Sequence, residues 1–308
     1  MAIFSVIIPA YNVERYILSL LKSLSVQNFK DFEVICTDDC STDKTAEIIL
    51  KFAETDKRIK YIKTDFHQGP GASRNLALKY ATGKYIACAD ADDVVMPDFL
   101  NDAYEKLERT KVGSVWIKSL IYWENEKKAT PMFTFPKLRD EKEGFLTLTP
   151  ENLTDYPAYS WNKMFRRELF DDSIFWTPDK LFEDVEFYWR FYTQNPDIYV
   201  IDKTLYLYRR HQSSIMSKCV VDVDYHKNLF VVTENIYRFL KEKNLFEKYK
   251  KTFLNFVMQN IREFESYDNL RQELARTVLE TLKNIHFPED YEDLRKELPI
   301  AQFDFSLH

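Results

Sequence analysis

Over the first hundred residues, short, β-rich and near-continuous apolar runs alternate with stretches whose apolar positions recur every three or four residues. Phe4 to Ile8, Phe32 to Thr37, Ile59 to Lys63 and Tyr85 to Ala89 are of the first kind and read as strands. Glu14 to Ser25, Asp43 to Glu54 and Gly71 to Tyr80 have helical spacing. Near-continuous apolar strands, each followed by a helix, belong to a parallel sheet covered on both faces. A doubly wound α/β half is predicted.

In such a sheet ligands bind beyond the carboxyl ends of the strands, where loops and helix N-termini converge. The polar clusters of this half fall there: Asn12 after the first strand, Asp38 and Asp39 after the second, Thr64 and Asp65 after the third, and Asp90 to Asp93 after the fourth. Beyond Asp98 the pattern changes. Phe99 to Arg109 reads as a helix, Ser114 to Trp123 as a strand, and the following "ENEKKAT" as a turn or mobile loop. Residues 140 to 180, with Pro150, Pro157 and Pro178, read as irregular, and Ile198 to Tyr208 as one or two strands. From about Asp222 onward the pattern is helical, at 223 to 243, 245 to 266, 270 to 286 and 289 to 297.

Composition narrows the classes. A chain of 308 residues, 45% hydrophobic and 30% charged, can close a core, and wholesale disorder is excluded. The net charge of -6 argues against a nucleic-acid partner, which needs a clustered cationic surface. Cys36, Cys40, Cys88 and Cys219 contain no CxxC pair, and three of them sit in or beside apolar runs, as reduced buried thiols do. The opening "MAIFSVIIPAYN" has no basic leader, and no apolar run approaches the roughly 18 residues of a membrane span. A cytoplasmic protein is expected.

Chemistry enters at "YIACADADDVVMP", where a strand ends in Asp90, Asp92 and Asp93. Asp-x-Asp alone says little, since Asp222-Val-Asp224 also matches ahead of a helix, where carboxylates are ordinary caps. At a strand end in a ligand-binding sheet, however, three neighbouring carboxylates repel one another unless a cation is supplied. Mg²⁺ or Mn²⁺ takes such oxygen ligands and leaves coordination positions open for phosphates, so a metal-diphosphate site is expected; the alternative is a solvated loop in which Asp98 caps the next helix.

The chain resembles the inverting glycosyltransferases of family 2, of bacterial type and GT-A fold. The resemblance rests on "SVIIPAYN" (Ser5 to Asn12), "DDCSTDKT" (Asp38 to Thr45), "GPGASRN" (Gly69 to Asn75), "GKYIACADADD" (Gly83 to Asp93), "WNKMFRREL" (Trp161 to Leu169) and "FEDVEF" (Phe182 to Phe187). It implies a Rossmann-like mixed α/β sheet with a C-terminal helical extension. Residues 1–218 would form the catalytic domain, with a nucleotide-binding half at 1–98 and an acceptor half at 99–218, and residues 219–308 the helical region.

The resemblance also implies roles. Pro9, Ala10, Tyr11 and Asn12 would line the nucleotide, Tyr11 packing on the base; Asp39, beside Asp38, would accept the base imide N–H, which suits uracil and points to a UDP-sugar. Without the resemblance, Asp38 and Asp39 are turn or cap residues, a role Ser41 or Thr42 can also fill. Gly69 would turn the chain into a helix from which Arg74 reaches the nucleotide or a surface carboxylate. Asp90 and Ala91 would touch the nucleotide. Asp92, with Asp90 nearby, would hold the metal, and His211 of "YRRHQSSIMS" would complete the shell, while Arg209 and Arg210 face the diphosphate or water. In "LFEDVEFYWR", helical spacing puts Glu183 and Asp184 at a helix N-terminus and pairs Glu186 with Arg190. They are first-turn acids by that spacing, and the resemblance makes Asp184 the general base, with Glu183 the other candidate. Trp161, Asn162 and Lys163 would line the donor-sugar and acceptor pocket, or Trp161 would be a core indole.

The implied reaction is a single displacement with inversion onto a glycan or lipid-linked acceptor, as in cell-surface polysaccharide synthesis. Two other classes compete. Four apolar residues followed by Asp-x-Asp-x-Val also fit haloacid-dehalogenase-type phosphatases, with Asp90 as nucleophile, but these carry the motif near the N-terminus and give no account of "SVIIPAYN" or "FEDVEF". A non-catalytic sugar-nucleotide binder would not need Asp184. Finally, Tyr225 to Glu263 holds eight Lys or Arg against four Glu, with aromatics interleaved. Such a segment would rest on an anionic inner membrane face, pair two copies, or bury its aromatics in a helical subdomain.

Overall fold

The computed structural model describes residues 2–132, 136–178, 182–211 and 223–263. The chain divides into two compact units, Met1–Thr149 with Asp155–Lys218, and Pro150–Thr154 with Cys219–His308.

The first unit is a mixed sheet of ten strands with helices on its faces. Strands β1 (Phe4–Ala10), β2 (Phe32–Asp38), β3 (Ile59–Lys63) and β4 (Tyr85–Cys88) are parallel, in the order β3-β2-β1-β4, as their near-continuous apolar character predicts. Helices α1 (Ile17–Ser25), α2 (Thr45–Thr55) and α3 (Gly69–Tyr80) connect them. Helix α1 buries Ile17, Leu20, Leu21 and Leu24, one stripe at helical spacing. Helix α2 begins at Thr45 rather than Asp43, and the Asp43 carboxylate accepts the Thr45 amide at 2.9 Å in the turn that leads into it.

Two short strands, β5 (Val94–Val95) and β9 (Lys163–Arg166), join this half to the rest. The stretch read as irregular supplies β8 (Gly144–Thr147) and β9, and β9 lies between β4 and β6 (Ser114–Trp123), antiparallel to both. Of "ENEKKAT", Glu124–Lys127 is a turn and the remainder opens β7 (Lys128–Pro131). Strand β10 (Asp197–Arg210) is a single strand parallel to β6, irregular at Ile201 to Tyr206, where it also meets β5. Helices α4 (Phe99–Arg109), α5 (Pro136–Asp140) and α6 (Glu183–Tyr192) complete the unit. One core runs through it, from Phe4, Val6 and Val34 past Tyr85 and Met164 to Ile201 and Tyr206. The predicted α/β class and mixed sheet hold.

In the second unit, α7 (Val223–Glu242) and α8 (Phe246–Glu263) meet at a turn in which Asn244 takes a left-handed φ of 55°. The rings of Tyr237, Phe246 and Phe253 pack together, and Thr252 donates to the Pro150 carbonyl, which ties residues 150–154 to this unit. Tyr237, Phe239, Phe246, Tyr249 and Phe253 are buried, so these aromatics of the basic segment are core residues. The helices predicted at 270–286 and 289–297 and Cys219 lie outside the described residues. Among the described residues no helix is long and apolar enough to cross a membrane.

Candidate active site

At the end of β1, Tyr11 is 45% exposed and Asn12 adopts φ 51°, a left-handed turn that asparagine tolerates. The Asn12 amide donates to Ser41 Oγ at 3.0 Å, and its Oδ1 accepts the Thr42 amide at 2.8 Å, locking the β1 and β2 exits together. Within the strands Pro9 pairs with Thr37 and Ala10 with Asp38. Asp38 takes the turn role: buried, it accepts from the Ser41 amide at 3.0 Å and the Tyr61 hydroxyl at 2.7 Å. Asp39, 2% exposed, organises the next loop, accepting from Thr64 Oγ1 at 2.9 Å and the amides of Gln68 and Gly69 at 2.9 and 2.7 Å. Gly69 reaches it with a φ of +82°, open to glycine. His67, which the sequence pattern did not single out, stacks on Tyr11 with ring centroids 4.1 Å apart, and its Nδ1 lies 2.9 Å from Asp39 Oδ2.

Arg74 is the organiser of the acidic centre. Almost fully buried, it donates from Nη2 to Asp90 at 2.8 Å and from Nη1 to Glu183 at 2.7 Å, with Asp184 Oδ1 3.5 Å away. Its carboxylate partners hold its own pKa well above the usual value against the effect of burial. Phe182, in the left-handed region at φ 66°, turns the chain so that Glu183 and Asp184 open α6. Asp184 accepts from Ser160, hydroxyl at 2.6 Å and amide at 3.2 Å, and the Trp176 indole N–H donates to the same hydroxyl at 2.9 Å. Asn75 in turn exchanges hydrogen bonds with the Trp176 backbone. Burial, together with the Asp184 charge, lifts Glu183 to about 7 despite Arg74; burial and the charges of Asp92 and Asp184 lift Asp90 to about 6. Glu186 and Arg190 form the predicted i,i+4 pair at 2.6 Å.

Asp92 faces His211, with Nε2 2.9 Å from Oδ2, and His211 stacks on Tyr16 at 4.2 Å. Asp93 is turned inward, bonded to the Tyr206 hydroxyl and the Arg209 amide, both at 2.7 Å; burial and its acidic neighbours raise its pKa strongly. Arg209 donates from Nε to the Asp92 carbonyl at 2.8 Å, and Arg210 lies over Trp123. Ala91 is buried. Among the described residues no three His, Cys, Asp or Glu side chains gather as a complete metal cage. A carboxylate oxygen and an imidazole nitrogen side by side nevertheless suit a hard or borderline divalent cation whose remaining positions are filled by phosphate and water.

The predicted sugar-contacting residues Trp161, Asn162 and Lys163 are all buried. Trp161 is 3% exposed in an aromatic stack with Tyr159, Tyr206 and Tyr208. Lys163 is buried, its ammonium held by the carbonyls of Pro157 and Tyr159 and by Asn162 Oδ1, over the Trp116 ring; burial pulls its pKa far down. Asn162 lines a cavity of about 130 Å³ with Leu120, Met132, Pro157 and Tyr159, which none of the site carboxylates reaches.

The model of the family described as "Glycosyl transferase family 2" matches residues 5–174. Among curated proteins, the putative glycosyltransferase EpsH of Bacillus subtilis is 29% identical over 266 residues, 82% of this chain and 74% of its own. The poly(ribitol-phosphate) beta-N-acetylglucosaminyltransferase TarS of Staphylococcus aureus is 32% identical over 224 residues, 71% of this chain but 37% of its own, so this chain matches little more than a third of that relative. The crystal structure of S. aureus TarS 1-349 in complex with UDP-GlcNAc superposes with a TM-score of 0.74 at 25% identity, covering 98% of this chain and 87% of that one. The family match contains Asp90 and Asp92, which displaces the phosphatase reading, and it stops short of Asp184 and His211. On the match over residues 5–174, from its β1 motif through β9, the chain belongs to glycosyl transferase family 2, with the GT-A fold, and is a glycosyltransferase.

Proposed function

We propose that this glycosyltransferase moves a sugar, with inversion, from a UDP-sugar to a hydroxyl of a glycan or lipid-linked acceptor, assisted by Mn²⁺ or Mg²⁺. The observation that carries this reading is the Arg74 clasp, which draws Asp90, at the end of β4, and Glu183 and Asp184, at the start of α6, onto one guanidinium. The UDP-GlcNAc complex of the TarS relative supports the donor class. An acceptor hydroxyl beside Asp184 would pass its proton to that carboxylate as its oxygen bonds the anomeric carbon. The bond from that carbon to the diphosphate oxygen breaks on the opposite face, and UDP leaves with the electron pair. The Ser160 hydroxyl and amide orient Asp184 for this step. Asp92 and His211 would hold the cation, whose chemistry there is to offset charge on the departing diphosphate.

UDP release from a panel of UDP-sugars, with Mn²⁺ and with chelator, tests the reading alongside Asp184→Asn. The expected result is UDP affinity close to wild type and turnover lower by about 10² to 10⁴. Transfer left intact by the substitution would remove Asp184 from the base role. A donor panel that yields no UDP would remove the donor class.

A further inference from the structure

We propose that His67 is an internal stand-in for the nucleobase and sets donor affinity by having to leave its seat; this rests on the UDP reading above. A uracil in the proposed site would present two features, a flat ring against Tyr11 and a ring N–H to the Asp39 carboxylate. The His67 imidazole presents both: its centroid is 4.1 Å from that of Tyr11 at an interplanar angle of 29°, and its Nδ1 is 2.9 Å from Asp39 Oδ2. One side chain thus fills the stacking surface and approaches the acceptor that a base would need.

The surroundings fit a part that moves. The His67 side chain is 54% exposed and Tyr11 45%, whereas Asp39 beneath them is 2% exposed and fixed by Thr64, Gln68 and Gly69. The floor is buried and hydrogen-bonded, and the ring above it is half exposed. His67 directly precedes Gln68 and Gly69, whose amides grip Asp39, so its side chain can rotate outward without releasing the loop. An exposed aromatic stack is worth little, so the expected penalty on donor affinity is about threefold to tenfold, the fraction of time the seat is occupied.

Titration calorimetry of UDP with wild type, His67→Ala and His67→Phe, with thermal melts to show that each is folded, tests this. Tighter UDP binding by about threefold to tenfold in His67→Ala is expected. His67→Phe, which keeps a ring for Tyr11 but no nitrogen for Asp39, is expected between the two. Equal affinity in wild type and His67→Ala overturns the stand-in, and weaker binding in His67→Ala overturns it by making His67 a wall of the base pocket. If neither wild type nor His67→Ala binds UDP, the donor reading itself falls and takes this inference with it.

Discussion

A buried guanidinium shared by carboxylates is the most consequential arrangement at the scale of single residues. Removing one partner of a buried ion pair leaves an uncompensated charge, so Arg74→Met is expected to lose about 3 to 5 kcal/mol by denaturant unfolding. Arg74→Lys keeps the charge without the fork that reaches Asp90 and Glu183 together, so it is expected to keep more stability than Arg74→Met and still lose turnover. Glu183 gives a pH signature. Its carboxyl is raised to about 7 from the ordinary 4.5, so the folded protein binds this proton more tightly than the unfolded chain, and its contribution to stability declines as pH rises between those values. Glu183→Gln cannot titrate. Relative to wild type it is expected to gain about 1 to 3 kcal/mol between pH of about 5 and about 7.5, read from paired urea melts. Asp92 and His211 were both legible as ligand types at strand ends. Ser160 on Asp184, Tyr206 on Asp93 and His67 beside Asp39 were not legible, because no local spacing links residues so far apart in the chain.

Between elements, close backbone approach explains what holds α6 in register. A Cβ on Gly71 would stand 2.4 Å from the Thr177 carbonyl oxygen, so Gly71→Ala must push α3 away from the segment that carries Trp176 and, through it, Ser160 and Asp184. A stability loss of about 1 to 3 kcal/mol is expected in denaturant melts, with a fall in turnover beyond what the unfolded fraction accounts for. Strands β1, β2 and β4 could be read from the sequence because each is a buried, near-continuous apolar run, and β3 because Ile59, Tyr61 and Ile62 keep a β-rich pattern between its exposed lysines. Strand β9 could not. Its four residues, Lys-Met-Phe-Arg, begin and end on cations, and only the tertiary structure reveals why: Lys163 is satisfied by carbonyls, and Arg166 donates to the carbonyls of Val112, Leu107 and Thr110. A buried cation hides a central strand from any pattern based on apolarity.

For the first unit as a whole, β9 has a further effect. The sequence suggested halves at 1–98 and 99–218, yet β4 pairs with β9, β5 pairs with β10, and one core spans both. A fragment of residues 1–98 would expose the edge of β4 and open the core cluster that Phe4 and Tyr85 share with Met164 and Tyr206. It is therefore expected to lack a cooperative thermal transition by circular dichroism, while residues 1–218 within the full chain show one. The Arg74 clasp carries the same dependence into time. Its cation emerges from the ribosome long before Glu183 and Asp184, so two of its three acidic partners are still unmade when Arg74 and Asp90 have been synthesised. The full clasp, with all three acids on one guanidinium, can therefore close only after α6 has been made, late in synthesis.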